Sequence, residues 1–408
     1  MNTILRLPVS VFLILTISLG TASSASDSLH SIEKSIRGVD EYAWTPTGDS
    51  VIYATSDGTL WSAQGPDFAT AIRIIKIALP DQQKIEQIVW SPDGQNIAVV
   101  APRLNDEWDT IWLFDTRTSA LRDLLPPGAP FGSPGTRSLR ISCWLADGRI
   151  AFVQHCGTGC EGLHAVQPET GEQYWDFCDA SGSFFWSPTR KNAVLENDRS
   201  GVAPSGLGLV SASDGVAVPR GASYHRQRRE CASVFDGVLR GRVYFNAWFP
   251  DDETVLFTNA NPEGSGLKLW DTVSGRRTTL VGSGSSGAVS PGGRYVAFIR
   301  AVHESAATGD SKRVSLAILD LRSKKVVAIR EIPDVESPVQ WSPSASYLAI
   351  VARGGKLLLA SVTPAGVKLR QTESGEPDVY REVSWSPDGK YLAVWDEVSG
   401  LKILAPID

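Results

Sequence analysis

Side chains that could carry catalysis are scattered through this sequence. No Gly-x-Ser-x-Gly nucleophile elbow occurs, and the histidines lack a metal-ligand spacing such as His-Glu-x-x-His. They are His30, His155, His164, His225 and His303. Gly-x-Gly-x-x-Gly matches start at Gly157 and Gly282, but strand-like sequence follows each, whereas a phosphate cradle needs a helix there. We therefore predict no catalytic residue, metal or cofactor; a metal site built from His155, Cys156 and Cys160 is the alternative.

The five cysteines are typical of an oxidising compartment. Cys156 and Cys160 enclose Gly-Thr-Gly, a length that can close on itself, so we predict a disulfide between them. We expect Cys178 and Cys231 to reach one rim of the fold and form a second pair. Cys143 is then left as a buried thiol.

The most concentrated charge is a basic insertion in an acidic chain. Lys and Arg number 39 against 45 Asp and Glu, a net charge of -6, which makes nucleic acid an unexpected partner. The insertion, at 221–242, could receive an acidic protein or peptide partner. Alternatively it is a solvated loop whose charges pair with Glu230 and Asp236. The candidate binding residues are Arg226, Arg228, Arg229 and Arg240, with Trp108 in another long loop.

The first 25 residues are typical of a signal peptide. A weakly positive start precedes an apolar run at 7–19, and Ser23, Ser24 and Ala25 are small residues of the kind a signal peptidase reads. The run has about 13 residues against the ~20 that a membrane span needs, and no later stretch is long enough. We expect cleavage near Ala25 and a periplasmic or secreted protein; an uncleaved N-terminal anchor is the alternative.

One short phrase recurs along the remaining chain and predicts its architecture. It recurs every 41 to 62 residues, a period typical of propeller blades. The copies are Trp44-Thr-Pro-Thr-Gly, Trp90-Ser-Pro-Asp-Gly, Trp144-Leu-Ala-Asp-Gly, Trp186-Ser-Pro-Thr, Trp248-Phe-Pro-Asp-Asp, Val289-Ser-Pro-Gly-Gly, Trp341-Ser-Pro-Ser and Trp385-Ser-Pro-Asp-Gly.

Each copy has the pattern of a β-hairpin. An apolar run reaches the tryptophan, Ser-Pro-Asp-Gly provides a tight turn, and a second strand follows at once, as at Asn96 to Ala101. Two further strands complete each unit, as at Thr110 to Asp115 and Leu121 to Leu125. The sequence predicts an all-β propeller with eight four-stranded blades, seven being the alternative, in one domain at 26–408. The last repeat lacks a fourth strand, so we expect Leu29 to Ile36 to supply it.

The recurring Trp-Ser-Pro-Asp-Gly phrase, followed by strands such as Lys390-Tyr-Leu-Ala-Val, resembles the repeat of TolB-type β-propellers, which is also WD-repeat-like. The resemblance covers residues 30 to 408 and extends to propeller domains of prolyl-oligopeptidase-like enzymes. TolB itself places an α/β domain before its blades and oligopeptidases add a hydrolase domain. We expect neither here.

Chain connectivity predicts which surface serves function. If every first strand runs toward the tight turn, the long connections all emerge on the opposite face. We therefore expect a non-catalytic binding or scaffolding protein that contacts a protein or another ligand through that face. The alternative is a propeller enzyme, lactonase-, cyclase- or hydrolase-like, whose site lies at the channel mouth with Asp106 and Glu107 holding a metal.

Overall fold

A computed structural model describes most of the chain after residue 33. The described ranges are 34–104, 109–125, 139–157, 160–179, 182–197, 206–212, 216–218, 239–262, 264–301, 314–333, 335, 339–352, 356–363, 366–371, 382–396 and 400–405. Within them every regular element longer than a turn is a β-strand, and the strands form eight antiparallel sheets. Among these residues no helix is long and apolar enough to cross a membrane.

The first four sheets are described in chain order, from the innermost strand outward. Blade 1 contains β2 (Val39–Trp44), β3 (Ser50–Thr55), β4 (Thr59–Gln64) and β5 (Ala71–Lys76). Blade 2 contains β6 (Gln87–Trp90), β7 (Asn96–Pro102), β8 (Asp109–Asp115) and β9 (Leu121–Asp123). Blade 3 contains β10 (Leu139–Trp144), β11 (Ile150–Gly157), β12 (Cys160–Val166), β13 (Gln173–Asp179) and, at its outer edge, β17 (Val216–Val218). Blade 4 contains β14 (Ser183–Trp186), β15 (Asn192–Asn197), β16 (Gly206–Ser211) and β18 (Leu239–Arg240).

The other four sheets follow the same order. Blade 5 contains β19 (Val243–Trp248), β20 (Thr254–Asn259), β21 (Gly266–Asp271) and β22 (Arg277–Val281). Blade 6 contains β23 (Ser285–Val289), β24 (Tyr295–Ala301), β25 (Val314–Asp320) and β26 (Lys325–Ile332). Blade 7 contains β27 (Gln340–Trp341), β28 (Tyr347–Ala352), β29 (Lys356–Thr363) and β30 (Gly366–Gln371). Blade 8 contains β31 (Glu382–Trp385), β32 (Leu392–Asp396), β33 (Gly400–Leu404) and β1 (Lys34–Ile36).

The middle strands of each blade are buried on both faces. All seven residues of β25 are buried, whereas the outer β26 is mostly exposed. Apolar clusters fill the spaces between neighbouring blades; one of them joins Val51 and Tyr53 of blade 1 to Leu401 of blade 8. A single sheet cannot cover both of its faces, so the blades pack in a ring. The prediction of an eight-bladed all-β propeller is confirmed, and the seven-bladed alternative is wrong.

The Ser-Pro-Asp-Gly phrase forms the tight turn between the first and second strands. In blade 2 the Gly94 amide donates to the Ser91 carbonyl (2.9 Å), and the Ser91 hydroxyl donates to Asp93 (2.6 Å) while accepting from the Asn96 amide (2.9 Å). The residue at the Gly94 position has a positive φ in all eight turns, including Arg190 and Ala345, where glycine is absent. The backbone conformation is thus kept where the motif has diverged.

At five of the eight junctions, the repeat tryptophan at the end of a first strand links its blade to the preceding one. Its indole N–H donates to the first strand of that blade, which draws these strands around one axis. The bonds run from Trp44 to the Ser384 carbonyl (3.3 Å) and hydroxyl (3.2 Å), from Trp186 to the Ser142 hydroxyl (2.7 Å), and from Trp248, Trp341 and Trp385 to the carbonyls of Phe185 (2.8 Å), Ala288 (3.1 Å) and Gln340 (3.4 Å). Burial of each indole adds on the order of 4 to 6 kcal/mol as an upper bound.

Side-chain amides replace the tryptophan bond at two junctions. Between blades 2 and 3, Gln87 donates to the Ile141 carbonyl (2.9 Å) and accepts from the Ile141 amide (2.7 Å). Between blades 5 and 6, where Val289 takes the tryptophan position, Asn246 accepts from the Gly287 amide (2.6 Å). The side-chain amides of Gln87 and Asn246 thus bond to the backbone of a first strand in the neighbouring blade, as the tryptophan indole does at other junctions.

The ring closes through the N-terminal strand. β1 pairs antiparallel with β33, with Ile36 opposite Leu401, and so serves as the fourth strand of blade 8. Gly400 permits this approach because a Cβ there would lie 2.3 Å from the Ile36 carbonyl oxygen. We call β1 the clasp. Residues 1–25 and 29–33 lie outside the described ranges, so the signal peptide stays a prediction.

The chain on either side of the basic insertion belongs to blades 3 and 4. After β16 the chain forms β17 on the outer edge of blade 3, where Val216 pairs with Trp175, and then returns as β18 of blade 4. The predicted loop at 221–242 therefore lies between the third and fourth strands of blade 4 and includes β18. Because β16 ends beside the tight turn, this connection leaves the blade on the tight-turn side, not on the opposite face as expected, and the chain is back at that opposite end at β18, where Arg240 pairs with Gly206. β17 and β18 have only three and two residues, too few to show strand alternation in the sequence.

We predict that Ala345→Gly stabilises the protein and Gly94→Ala destabilises it. Ala345 has a φ of +59° and Gly94 one of +70°, a region that costs an L-residue about 1 to 2 kcal/mol. A Cβ at Gly94 meets only Pro46 at 3.8 Å, so its cost arises from the backbone alone. Chemical denaturation of both variants checks this; equal unfolding free energies would contradict it.

We predict that Gly400→Ala loosens the clasp. The matched control is Gly148→Ala, because Gly148 has nearly the same φ, +86° against +83°, with nothing within 4 Å of its Cβ position. Both variants place an alanine at a positive φ, which strains the backbone. Only the alanine at position 400 also collides with the Ile36 carbonyl oxygen. Thermal unfolding should show a clearly larger drop of the midpoint for Gly400→Ala. Equal drops would mean that the clasp contributes little to ring stability.

Candidate functional site at the channel mouth

Acidic side chains gather where the first strands of blades 8, 1 and 2 begin. Glu41 and Glu382 each lie three residues before the repeat tryptophan of their strand, and Glu86 lies four residues before Trp90. First strands end at the tight turns, so these residues lie at the opposite, long-connection end of the ring. We call Glu41, Glu86 and Glu382 the mouth carboxylates.

Burial and neighbouring charge raise the pKa of Glu41. Burial contributes most, the negative charges of Glu382 and Glu86 add to it, the Tyr42 amide and Lys84 oppose it, and together they raise the pKa of this half-buried carboxyl to about 7. Desolvation also raises the pKa of Glu382, although part of its side chain is exposed. Near neutral pH this mouth therefore exchanges a proton readily and attracts cationic groups.

A tyrosine and a serine next to the carboxylates join the first strands of blades 1 and 8. The Tyr42 hydroxyl and the Ser384 hydroxyl are 2.9 Å apart, and Ser384 also accepts from the Trp44 indole. Burial, followed by the charge of Glu382, raises the pKa of Tyr42 above its ordinary value. The Tyr42 side chain thus remains a neutral hydrogen-bonding group behind the acidic residues.

Two buried polar atoms beside this site have no partner within the described residues. They are Oδ2 of Asp40, next to Glu41, and the indole nitrogen of Trp90. Asp40 lies at an irregularity of the strand pairing, and burial raises the pKa of its carboxyl while Lys84 opposes the shift. The junction of blades 1 and 2 therefore leaves a buried donor and a buried acceptor without a described partner.

The structure describes one of the predicted binding residues. Arg240 lies in β18, is exposed, and pairs through its backbone with Gly206 on the outer edge of blade 4. That edge is away from the mouth carboxylates. Arg226, Arg228, Arg229 and Trp108 lie outside the described ranges, as do Asp106 and Glu107.

The cysteine and histidine predictions concern blade 3. Cys143 is a free thiol whose pKa burial raises to about 12. Cys156, Cys160 and Cys178 lie on the adjacent strands β11, β12 and β13, but their side chains and all of Cys231 are outside the described part, so both disulfides stay predictions.

His164 is a core residue. It is 3% exposed and packs against Phe152, and burial lowers the pKa of its imidazole to about 3. Across the described ranges, no group of three or more His, Cys, Asp and Glu side chains is arranged to hold a metal ion.

No known family model matches the chain. Solved propellers superpose on it. The C-terminal WD40 domain of Sif2 is 14% identical, covering 93% of this chain and 99% of that one, with a TM-score of 0.58. An oligogalacturonate lyase in complex with manganese is 13% identical, covering 88% and 97%, with a TM-score of 0.51. TolB from Acinetobacter baumannii is 14% identical, covering 81% and 65%, with a TM-score of 0.38. The chain is a β-propeller, and its structural neighbours include both WD40 and TolB propellers.

We predict that Glu41→Gln stabilises the protein increasingly as pH rises from about 4.5 to about 7. The folded pKa of about 7 exceeds the ordinary 4.5, so the stability linked to this carboxyl is present at low pH and is lost as pH rises between those values. Glutamine mimics the protonated form. The melting midpoint of Glu41→Gln should therefore exceed that of the wild type at about pH 8 and match it at about pH 4, below the ordinary pKa of the carboxyl. The exposed Glu253→Gln is the control; an equal shift at both pH values would contradict the prediction.

Proposed function

We propose that this protein is an exported, non-catalytic β-propeller that binds a protein or peptide partner through its long-connection face. The mouth carboxylates carry the proposal, because they place a concentrated charge at the axis on that face. Rigid strands hold them in register, and irregular connections on a rigid scaffold are where recognition usually resides. The signal-peptide pattern of residues 1–25 supports export.

The partner contacts have two parts of opposite charge. The mouth carboxylates attract a Lys or Arg side chain, or an amino terminus, of the partner. The basic run that contains Arg226, Arg228 and Arg229 attracts an acidic segment. A partner that carries both a cationic and an acidic group can pair with the mouth carboxylates and with the basic run. This favours a protein or peptide over a simple anion.

An enzyme with its site at the channel mouth is the second candidate. The observation that favours it is the Glu41 carboxyl, because a pKa of about 7 suits a general acid or base at neutral pH. The similarity to the oligogalacturonate lyase extends to the fold alone and adds no catalytic residue. A stoichiometric metal in protein purified without chelators would favour this candidate.

We predict that two separate variants weaken partner binding without unfolding the protein. The variants are Glu41→Gln with Glu382→Gln, and Arg226→Ser with Arg228→Ser and Arg229→Ser. A partner captured from envelope extract and identified by mass spectrometry is purified, and its affinity is measured at low and high salt. Both variants should bind more weakly and lose much of the salt dependence.

The control for this experiment is Glu253→Gln, an exposed glutamate on blade 5. It should bind like the wild type. A lower melting midpoint with unchanged affinity would reject the recognition role and leave these charges as structural.

A further inference from the structure

A pocket of about 400 Å³ opens at the seam between the clasp and blade 1. Ile36 and Arg37 of the clasp segment form one side, and Tyr53, Thr55, Asp57 and Trp61 of blade 1 form the other. The pocket is separate from the mouth carboxylates. Because one wall is the clasp, its shape depends on ring closure.

The pocket contains an unused hydrogen-bond donor. Tyr53 is only 6% exposed, and its hydroxyl has no partner among the described residues. Burial raises the pKa of this phenol, so it stays protonated. Beside it, the Trp61 indole N–H donates to the Thr55 hydroxyl (3.3 Å), which orients the ring.

The charges of the pocket favour an anion. Arg37 is exposed and forms no ion pair within the described part of the chain. Asp57 is fully occupied, because it accepts from the Thr55 hydroxyl (2.8 Å), from the Thr59 amide (3.1 Å) and hydroxyl (2.8 Å), and from Lys76 (3.2 Å). These hydrogen bonds hold the pKa of Asp57 well below its usual value. The remaining charge is therefore the positive charge of Arg37.

We propose that this seam pocket binds a small organic carboxylate with an aromatic or similarly flat apolar body. The carboxylate pairs with the Arg37 guanidinium and accepts from the Tyr53 hydroxyl, and the body lies against Trp61. An ammonium ligand fits less well, because Arg37 repels it and the Asp57 carboxylate is already saturated. A carboxylate in this position bridges the clasp and blade 1, so it also stabilises the closed ring.

The test uses 3-phenylpropionate as the probe and the full mature chain as the receptor. Calorimetric titration should show one saturable site, and the probe should raise the melting midpoint. The neutral 3-phenylpropanamide and the cationic 2-phenylethylamine should bind at least about tenfold more weakly, since they lack the charge-assisted bonds. Equal binding of the amide, tighter binding of the amine, or no binding of the carboxylate up to its solubility would overturn the proposal.

Three variants locate the site. Arg37→Met removes the charge and keeps an apolar stem, and Tyr53→Phe removes only the hydroxyl; each should weaken 3-phenylpropionate by about tenfold. The matched control is Arg276→Met, an exposed arginine of blade 5 far from the pocket lining, which should bind like the wild type. Circular dichroism verifies that the variants fold. Loss of binding in Arg276→Met, or none in the other two folded variants, places the site elsewhere and refutes the assignment.

Discussion

The ring depends on a hydrogen bond shared between blades, from the indole of a repeat tryptophan to the first strand of the preceding blade. The bond forms only if the tight turn holds the indole at the end of its strand, as the Ser91 network does in blade 2. Where the bond is lost, Gln87 or Asn246 reaches the neighbouring backbone instead. Among described residues, Trp90 between blades 1 and 2 and Trp144 between blades 2 and 3 keep unpaired buried indole nitrogens, and Asp40 keeps an unpaired buried oxygen at the first of these junctions.

The fold could be predicted because its determinants are local and repeated. Every turn has a left-handed residue at its fourth position and seven of the eight have a proline at the second, and eight copies distinguish this pattern from chance. Val289 and Ala345 depart from the motif, yet their turns form, because the amide-to-carbonyl bond of the turn is independent of the side chain. The outer strands β17 of blade 3 and β18 of blade 4 could not be predicted from the sequence. They are too short to show strand alternation, and tertiary contacts decide how they pair.

The mouth carboxylates could not be predicted from local sequence. Glutamate is common in surface strands, and Glu41 and Glu382 are 341 positions apart in the chain. The signal that was available is their shared position, three residues before the tryptophan, which places them at equal height in neighbouring blades. The raised pKa of Glu41 comes from burial and from the charges of Glu382 and Glu86, and that of Glu382 from burial; both causes exist only once the ring has closed.

Like charges that are close together and partly buried destabilise a protein. The mouth carboxylates therefore oppose the apolar packing that holds blades 8, 1 and 2 together. The same seam carries the clasp, with contacts of maximal sequence separation between β1 and β33. Deprotonation of Glu41 therefore weakens the junction that the clasp must hold. Any ligand that binds only the closed seam acts in the opposite direction, since it selects the closed state. The charge of the mouth carboxylates and a ligand in the seam pocket thus affect the same property of the protein, the closure of blade 8 against blade 1.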